Sequence, residues 1–407
     1  MKKEFFEKNR KKLYDIMTEK SVLILYSGKA PYKTADEKYD YSVNRNFYYF
    51  TGIDQEDVYL VMTKDDEGNV SENIFLQEND EVLSKWVGES LYKDEATEIS
   101  GVKNIYYLEQ FKSFLNSNMS DNKILYCDYE KKEWSFLPDI DYVLKELKAN
   151  FPFIQIKNIY DEIAEFRMIK EPEEIEMIEK AIKITADGIE NMRKNMKSGM
   201  YEYEIEAFFN FTLKSNGVKD FAFKTICASG KNAAVLHYVD NDSKTGKNEM
   251  VLFDLGAALN HYNADISRTY PLDGKFTERQ KEIYEIVLKT NKAIEEYAKP
   301  GITMKELNDK AKSVLAEGAV KAGLIKNEEE ISKYYFHSIG HQLGLDTHDV
   351  GKRNAVLKPG MIITDEPGLY IPEENIGIRI EDDLLITETG CRNLSSYIPK
   401  EIKDIEK

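Results

Sequence analysis

All five histidines of this chain, His237, His261, His337, His341 and His348, lie between residues 237 and 348. Imidazole is the commonest metal ligand and the usual acid or base near neutral pH, so the crowding points to reactive chemistry in the second half. Three of them share FHSIGHQLGLDTHDVG at 336–351, where Gly340 and Gly344 permit close backbone approach. Acidic residues frame this segment on both sides. In FDLGAALNHYNADISRTYP (253–271), Asp254 closes one apolar strand and Asp265 falls inside the next, and antiparallel pairing can bring the two carboxylates together. MIITDEPGLYI (361–371) delivers Glu366 at a strand end, where Pro367 and Gly368 stop the run. NIGIRIEDD (375–383) alternates, with Ile376, Ile378 and Ile380 on one face and Arg379 and Glu381 on the other.

Taken singly, each residue has an ordinary explanation. Asp254 could cap a turn, Asp265 could face solvent, and Glu366 and Glu381 could be edge-strand charges. Taken together, four carboxylates and the imidazole of His341 form a hard, oxygen-rich ligand set. Such a set favours Mn²⁺ or a similar divalent ion over a thiolate zinc site, with Co²⁺ and Zn²⁺ as alternatives. Five protein ligands exceed what one tetrahedral ion takes. Two ions sharing bridging carboxylates and a hydroxide nucleophile are the economical arrangement, which is that of two-metal hydrolases.

The elements that must hold these residues are legible as patterns. Helices are expected from Glu171, where Pro172 and two acidic residues suit a first turn, and over 202–216, 277–298 and 304–323. Strands are expected over 250–257, 262–270, 361–366 and 376–387, giving α+β. The first half differs. Short Val-, Ile-, Leu- and Tyr-rich runs at 21–28, 58–63, 73–77 and 123–127 alternate with helical stretches, an α/β pattern without histidine or a ligand-like grouping of acids. We divide the chain into domains at 1–155 and 156–407.

Composition excludes other classes. A net charge of −17 repels phosphate backbones, so no nucleic-acid partner is expected. Cys127, Cys227 and Cys391 show no metal or redox spacing, which suits a reducing compartment. MKKEFFEKNRKKLYDIM breaks every apolar run with charge, so neither a signal peptide nor a membrane span is expected, and a cytoplasmic location is expected.

The site residues are similar to those of the M24, or pita-bread, metallopeptidases: an Asp, a second Asp eleven residues later, then a His and two Glu. LHY (236–238), FDLG (253–256), ADISRTYP (264–271), GHQLGLDTHDVG (340–351), DEPGLYI (365–371) and GIRIEDD (377–383) resemble the aminopeptidase P branch. NFYYFTGI (46–53), KWVG (85–88) and FRMIKEPEEI (166–175) extend the likeness over the whole chain. The resemblance implies a C-terminal pita-bread domain after a smaller, creatinase-like α/β domain. It implies an enzyme that removes the residue before a penultimate proline by means of a hydroxide bridging two metals. Asp254 would bind one ion, Asp265 and Glu381 would bridge, and His341 with Glu366 would complete the second, Glu366 also shuttling a proton. His348 would contact the scissile group, His237 the proline side and leaving nitrogen, and His337 the proline pocket, while Arg379 and Tyr370 would steady the carboxylates. Trp86 resembles a subunit-contact residue, which implies a homo-oligomer, dimer or tetramer.

Methionine aminopeptidases usually lack so large a first domain, and creatinases lack the metal ligands. Two alternatives remain: a prolidase restricted to Xaa-Pro dipeptides, and a non-catalytic binding module. The run Ser42-Val43-Asn44-Arg45-Asn46 departs from the branch, as do the short loops after His348 and Tyr370. His261 has no counterpart in the family and is expected to be non-catalytic.

Overall fold

Six short strands of the first half assemble one mixed sheet: β1 (Ser21–Tyr26), β2 (Tyr59–Lys64), β3 (Val70–Leu76), β4 (Asn104–Tyr107), β5 (Ile124–Cys127) and β6 (Gln155–Asn158). The structure is a computed structural model that describes residues 1–352 and 354–406. The sheet order is β4-β3-β2-β1-β5-β6. Every residue of β1 is buried, as its unbroken apolar run requires of a central strand. It pairs antiparallel with β2 and parallel with β5. On one face Val22, Ile24, Val61, Phe75 and Leu125 pack with helical Phe111, Leu115, Val143 and Leu147. The chain divides into two compact units, Met1–Phe166 and Arg167–Lys407.

Four long helices of the second unit fall where their caps place them. In α1 (Pro172–Asn195) proline occupies the first turn, and the Glu171 N–H donates to the Glu174 carboxylate (2.9 Å). Next comes α2 (Glu202–Ser215). The third, α3 (Glu278–Tyr297), and the fourth, α4 (Met304–Lys321), carry reciprocal capping boxes at Thr277/Gln280 and Thr303/Glu306. Ile294, Leu307, Ala311, Ile363 and Leu384 share one core cluster beneath them. Among the described residues no helix is long and apolar enough to cross a membrane.

The strands of this unit are β7 (Ile226–Ser229), β8 (Met250–Leu255), β9 (Ala257–Leu259), β10 (Tyr262–Asn263), β11 (Ile266–Pro271), β12 (Ile362–Asp365), β13 (Gly368–Ile371), β14 (Ile376–Arg379), β15 (Asp382–Ile386) and β16 (Cys391–Asn393), besides a two-residue strand at Asp220–Phe221 that pairs with β9. Three-stranded sheets run β7-β8-β11 and β12-β15-β16, and β13 pairs with β14 alone. Two expected strands are broken. The run 262–270 divides into β10 and β11, so Asp265 precedes a strand instead of lying within one. The run 376–387 divides into β14 and β15, with Ile380 and Glu381 between them. There the chain changes partners: Ile380 N–H donates to Pro367 O (3.3 Å) and Glu381 N–H to Ser267 O (3.0 Å). Alternation of side chains continues across the junction, which is why the pattern alone reads as one strand.

Candidate metal centre

Pairing of β8 with β11 sets Asp254 opposite Ser267, so Asp254, Ser267 and, two residues earlier, Asp265 fall on one face. Between the two aspartates the β9–β10 hairpin leaves and returns through a pinch: a Cβ on Gly256 would lie 1.8 Å from the Ala264 carbonyl oxygen. Only glycine fits there. The hairpin tip is Asn260-His261, both at positive φ (49° and 66°), which is a two-residue primed turn. His261 therefore serves the turn.

Residues 339–343 run beside β12. Glu366 N–H donates to Ile339 O (2.9 Å), Thr364 N–H to His341 O (3.0 Å) and Leu343 N–H to Ile362 O (3.0 Å). His341 Nδ1 bonds the Gln342 carbonyl (2.9 Å), which turns Nε2 toward the carboxylates. That nitrogen lies 3.4 Å from Asp265 Oδ2 and 3.6 Å from Glu366 Oε1. Asp265, His341 and Glu381 each offer a ligand atom, all within 4.8 Å of one another. Asp254 and Glu366 stand outside this tightest group. Glu366 touches its His341 side, and Asp254 acts on it through charge.

Burial of so many like charges shows in their protonation. Desolvation, reinforced by the charges of Asp254 and Glu366, raises the Asp265 carboxyl to about 7. Glu381 is pushed well above the carboxylate range by burial and then by Asp265, Glu366 and Asp254. Glu366 rises by burial too, with His341 and Arg379 opposing. Burial depresses His341, but Asp265 and Glu366 outweigh it and hold the imidazole up to about 9. Asp254 Oδ1 is buried and has no hydrogen bond among the described residues. Protons or cations must compensate such a cluster, and the donor set fits divalent cations.

A second layer orients these groups. The Arg379 guanidinium donates to Asp254 Oδ2 (2.5 Å), Ser267 Oγ (2.7 Å) and Tyr370 Oη (3.0 Å). Ser267 in turn donates to Glu381 Oε2 (2.6 Å). Tyr370 Oη reaches His337 Nε2 (3.0 Å), while His337 Nδ1 bonds the Ser338 carbonyl (2.7 Å). Burial, then the Arg379 charge, lowers His337 to about 4, so the ring is neutral. His348 meets His341 edge-to-face with centroids 4.3 Å apart, and burial and the His341 charge lower its pKa. The loop carrying it is anchored by Asp349, which pairs with Arg167 (2.6 Å) and Lys170 (2.9 Å). His237 is exposed, on a loop tied down by Glu202 at the start of α2. Glu202 accepts from Ser229 N–H (2.7 Å), Ser229 Oγ (2.8 Å), Asn232 (3.1 Å), Tyr238 Oη (2.7 Å) and Ser243 N–H (3.0 Å).

Sequence reasoning missed Ser267 and Glu202. Ser267 was recoverable from its position two residues after Asp265 on the same face. Glu202 carries no signal, because a glutamate in a first turn reads as an ordinary partner of the helix dipole.

The sequence profile of metallopeptidase family M24 matches residues 176–388, the segment that holds Asp254, Asp265, His341, Glu366 and Glu381. The chain belongs to metallopeptidase family M24. Residues 6–126 match the aminopeptidase P N-terminal domain. A Haemophilus influenzae Xaa-Pro aminopeptidase is 34% identical over 99% of this chain and 96% of its own length. A Pyrococcus furiosus Xaa-Pro dipeptidase is 41% identical, over only 59% of this chain and 67% of its own. A Bacillus anthracis structure assigned to aminopeptidase P superposes with a TM-score of 0.98 at 48% identity, covering 100% of this chain and 98% of that one. Together these M24 and aminopeptidase P matches bear out the expected order, an aminopeptidase P N-terminal domain followed by a pita-bread domain.

Proposed function

We infer that this chain is a metal-dependent Xaa-Pro aminopeptidase, releasing the N-terminal residue of peptides whose second residue is proline. The observation that carries the reading is the convergence of Asp265, His341 and Glu381 within 4.8 Å in an M24 chain with an aminopeptidase P N-terminal domain. We assign Asp254, Asp265, His341, Glu366 and Glu381 to two divalent ions, and the oxygen-rich set favours Mn²⁺. When bound, such ions lower the pKa of a water and polarise a peptide carbonyl.

The surrounding residues handle protons and orientation. A proline nitrogen carries no hydrogen in a peptide bond, so it must gain a proton to leave. Glu366, raised by burial, can hold and pass on a proton. His348 contacts the scissile group, and exposed His237 serves the leaving nitrogen. Neutral His337 lines the proline pocket, with Tyr370 and Arg379 fixing its ring and Asp254. We place the protein in the cytoplasm as a homo-oligomer, dimer or tetramer, with Trp86, 83% exposed, at the subunit contact. Its acidic surface disfavours nucleic acid.

A dipeptidase is the second reading, favoured by the 41% identity to the Pyrococcus enzyme over 59% of this chain. Chelator-stripped protein assayed on matched Xaa-Pro and Xaa-Pro-Yaa peptides, with and without Mn²⁺, separates the two. We expect Mn²⁺-dependent tripeptide cleavage that Asp265→Ala lacks. Cleavage of dipeptides alone would make the chain a dipeptidase, and cleavage of neither would leave a binding module.

A further inference from the structure

Pairing of β12 with β15 sets Asp365 directly opposite Asp382, and both are fully buried. Two carboxylates facing each other across two strands oppose each other's ionisation, more so without water: burial and the Asp382 charge push the Asp365 carboxyl up, and Lys400 opposes them. Asp365 immediately precedes Glu366, and Asp382 immediately follows Glu381. Any splaying of this pair would move the two glutamates apart.

The compensating cations come from elsewhere in the unit. Arg268 Nη2 donates to Asp382 Oδ1 (2.7 Å), while its Nη1 donates to the Glu381 carbonyl (2.6 Å). Lys400 Nζ donates to Asp382 Oδ2 (2.6 Å) and to Asn291 Oδ1 (2.7 Å). Asn291 Nδ2 passes the contact on to Asp365 Oδ2 (3.1 Å). One ammonium thus reaches both aspartates, one directly and one through an amide. The segment that carries it is tied down by Tyr270 Oη to Pro399 O (2.7 Å), Tyr284 Oη to Lys400 O (2.8 Å) and Ser395 Oγ to Asp382 Oδ1 (2.7 Å).

We propose that Lys400, on a segment that supplies no metal ligand, is a positioning residue of the metal centre: it neutralises the Asp365–Asp382 pair and so sets the spacing of Glu366 and Glu381. The proposal rests on the five-ligand assignment above. Its distinguishing consequence is that removing one of the repelling charges should make the lysine dispensable, which a mere anchor for the segment would not allow.

The test measures Mn²⁺ affinity of the full-length protein by competition with a chromogenic chelator, beside its thermal unfolding. Loss of an outer partner of a metal site typically weakens binding by about 10–100-fold, and Lys400→Met is expected in that range. Lys400→Arg, which keeps the charge, and the double variant Asp365→Asn/Lys400→Met should both return to within about 3-fold of wild type. Wild-type affinity in Lys400→Met overturns the proposal, as does a double variant no better than the single. Should Lys400→Met not fold, the double variant must fold and bind Mn²⁺; its failure is equally decisive. Wild-type protein that binds no Mn²⁺, or binds it as well after Asp265→Ala, would instead remove the ligand assignment itself.

Discussion

Asp254 gives one carboxylate oxygen to Arg379 and keeps the other buried without a hydrogen bond among the described residues. Its orientation thus depends on one guanidinium that also holds Ser267 and Tyr370. Lysine cannot reproduce a three-way planar fork, so Arg379→Lys should lower Mn²⁺ affinity about 10-fold or more. Chelator competition reads this directly, and unchanged affinity would mean that the fork does not orient Asp254. At this scale the sequence was informative where the residue type is rare. Five histidines confined to one half announced a site, and acidic residues at strand ends framed it. Ser267 and Glu202 escaped notice because a serine hydroxyl and a first-turn glutamate have many ordinary uses, and only tertiary pairing gives them Glu381 and the His237 loop.

Among the elements, α1 begins on a buried acid. Glu174 accepts from Tyr262 Oη (3.1 Å) and the Glu171 N–H (2.9 Å), yet burial raises its pKa from 4.5 to about 7. Its folded value exceeds its unfolded one, so its contribution to stability is fully present below pH 4.5 and is lost as pH rises through 7, by up to about 3 kcal/mol. Glu174→Gln keeps the shape and cannot ionise. Its melting temperature should gain on that of wild type between pH 5 and pH 8, and a pH-independent difference would refute the argument. Helices such as α1, α3 and α4 were readable because their caps are written in adjacent residues. The breaks at Asp265 and at Ile380-Glu381 were not, since strand alternation is local and a change of sheet partner is not.

For the whole molecule, Trp86 on the first unit and a net charge of −17 pull in different directions. A large exposed aromatic invites association, while self-repulsion opposes it. Light scattering at physiological salt should give at least twice the chain mass of 47.1 kDa, falling when Trp86→Ala is introduced; a monomer with full activity would dismiss the oligomer. The α/β character of the first unit was legible from short apolar runs, but its order β4-β3-β2-β1-β5-β6 was not, because neighbours in that sheet are set by distant pairings. The pinch at Gly256 also bears on how this chain tolerates growth. Asp254 and Asp265 flank a backbone crossing that closes before the hairpin begins, so their separation is independent of what is attached beyond it. The Asn260-His261 tip is therefore a permissive point at which a foreign peptide could be grafted while the two aspartates keep their distance.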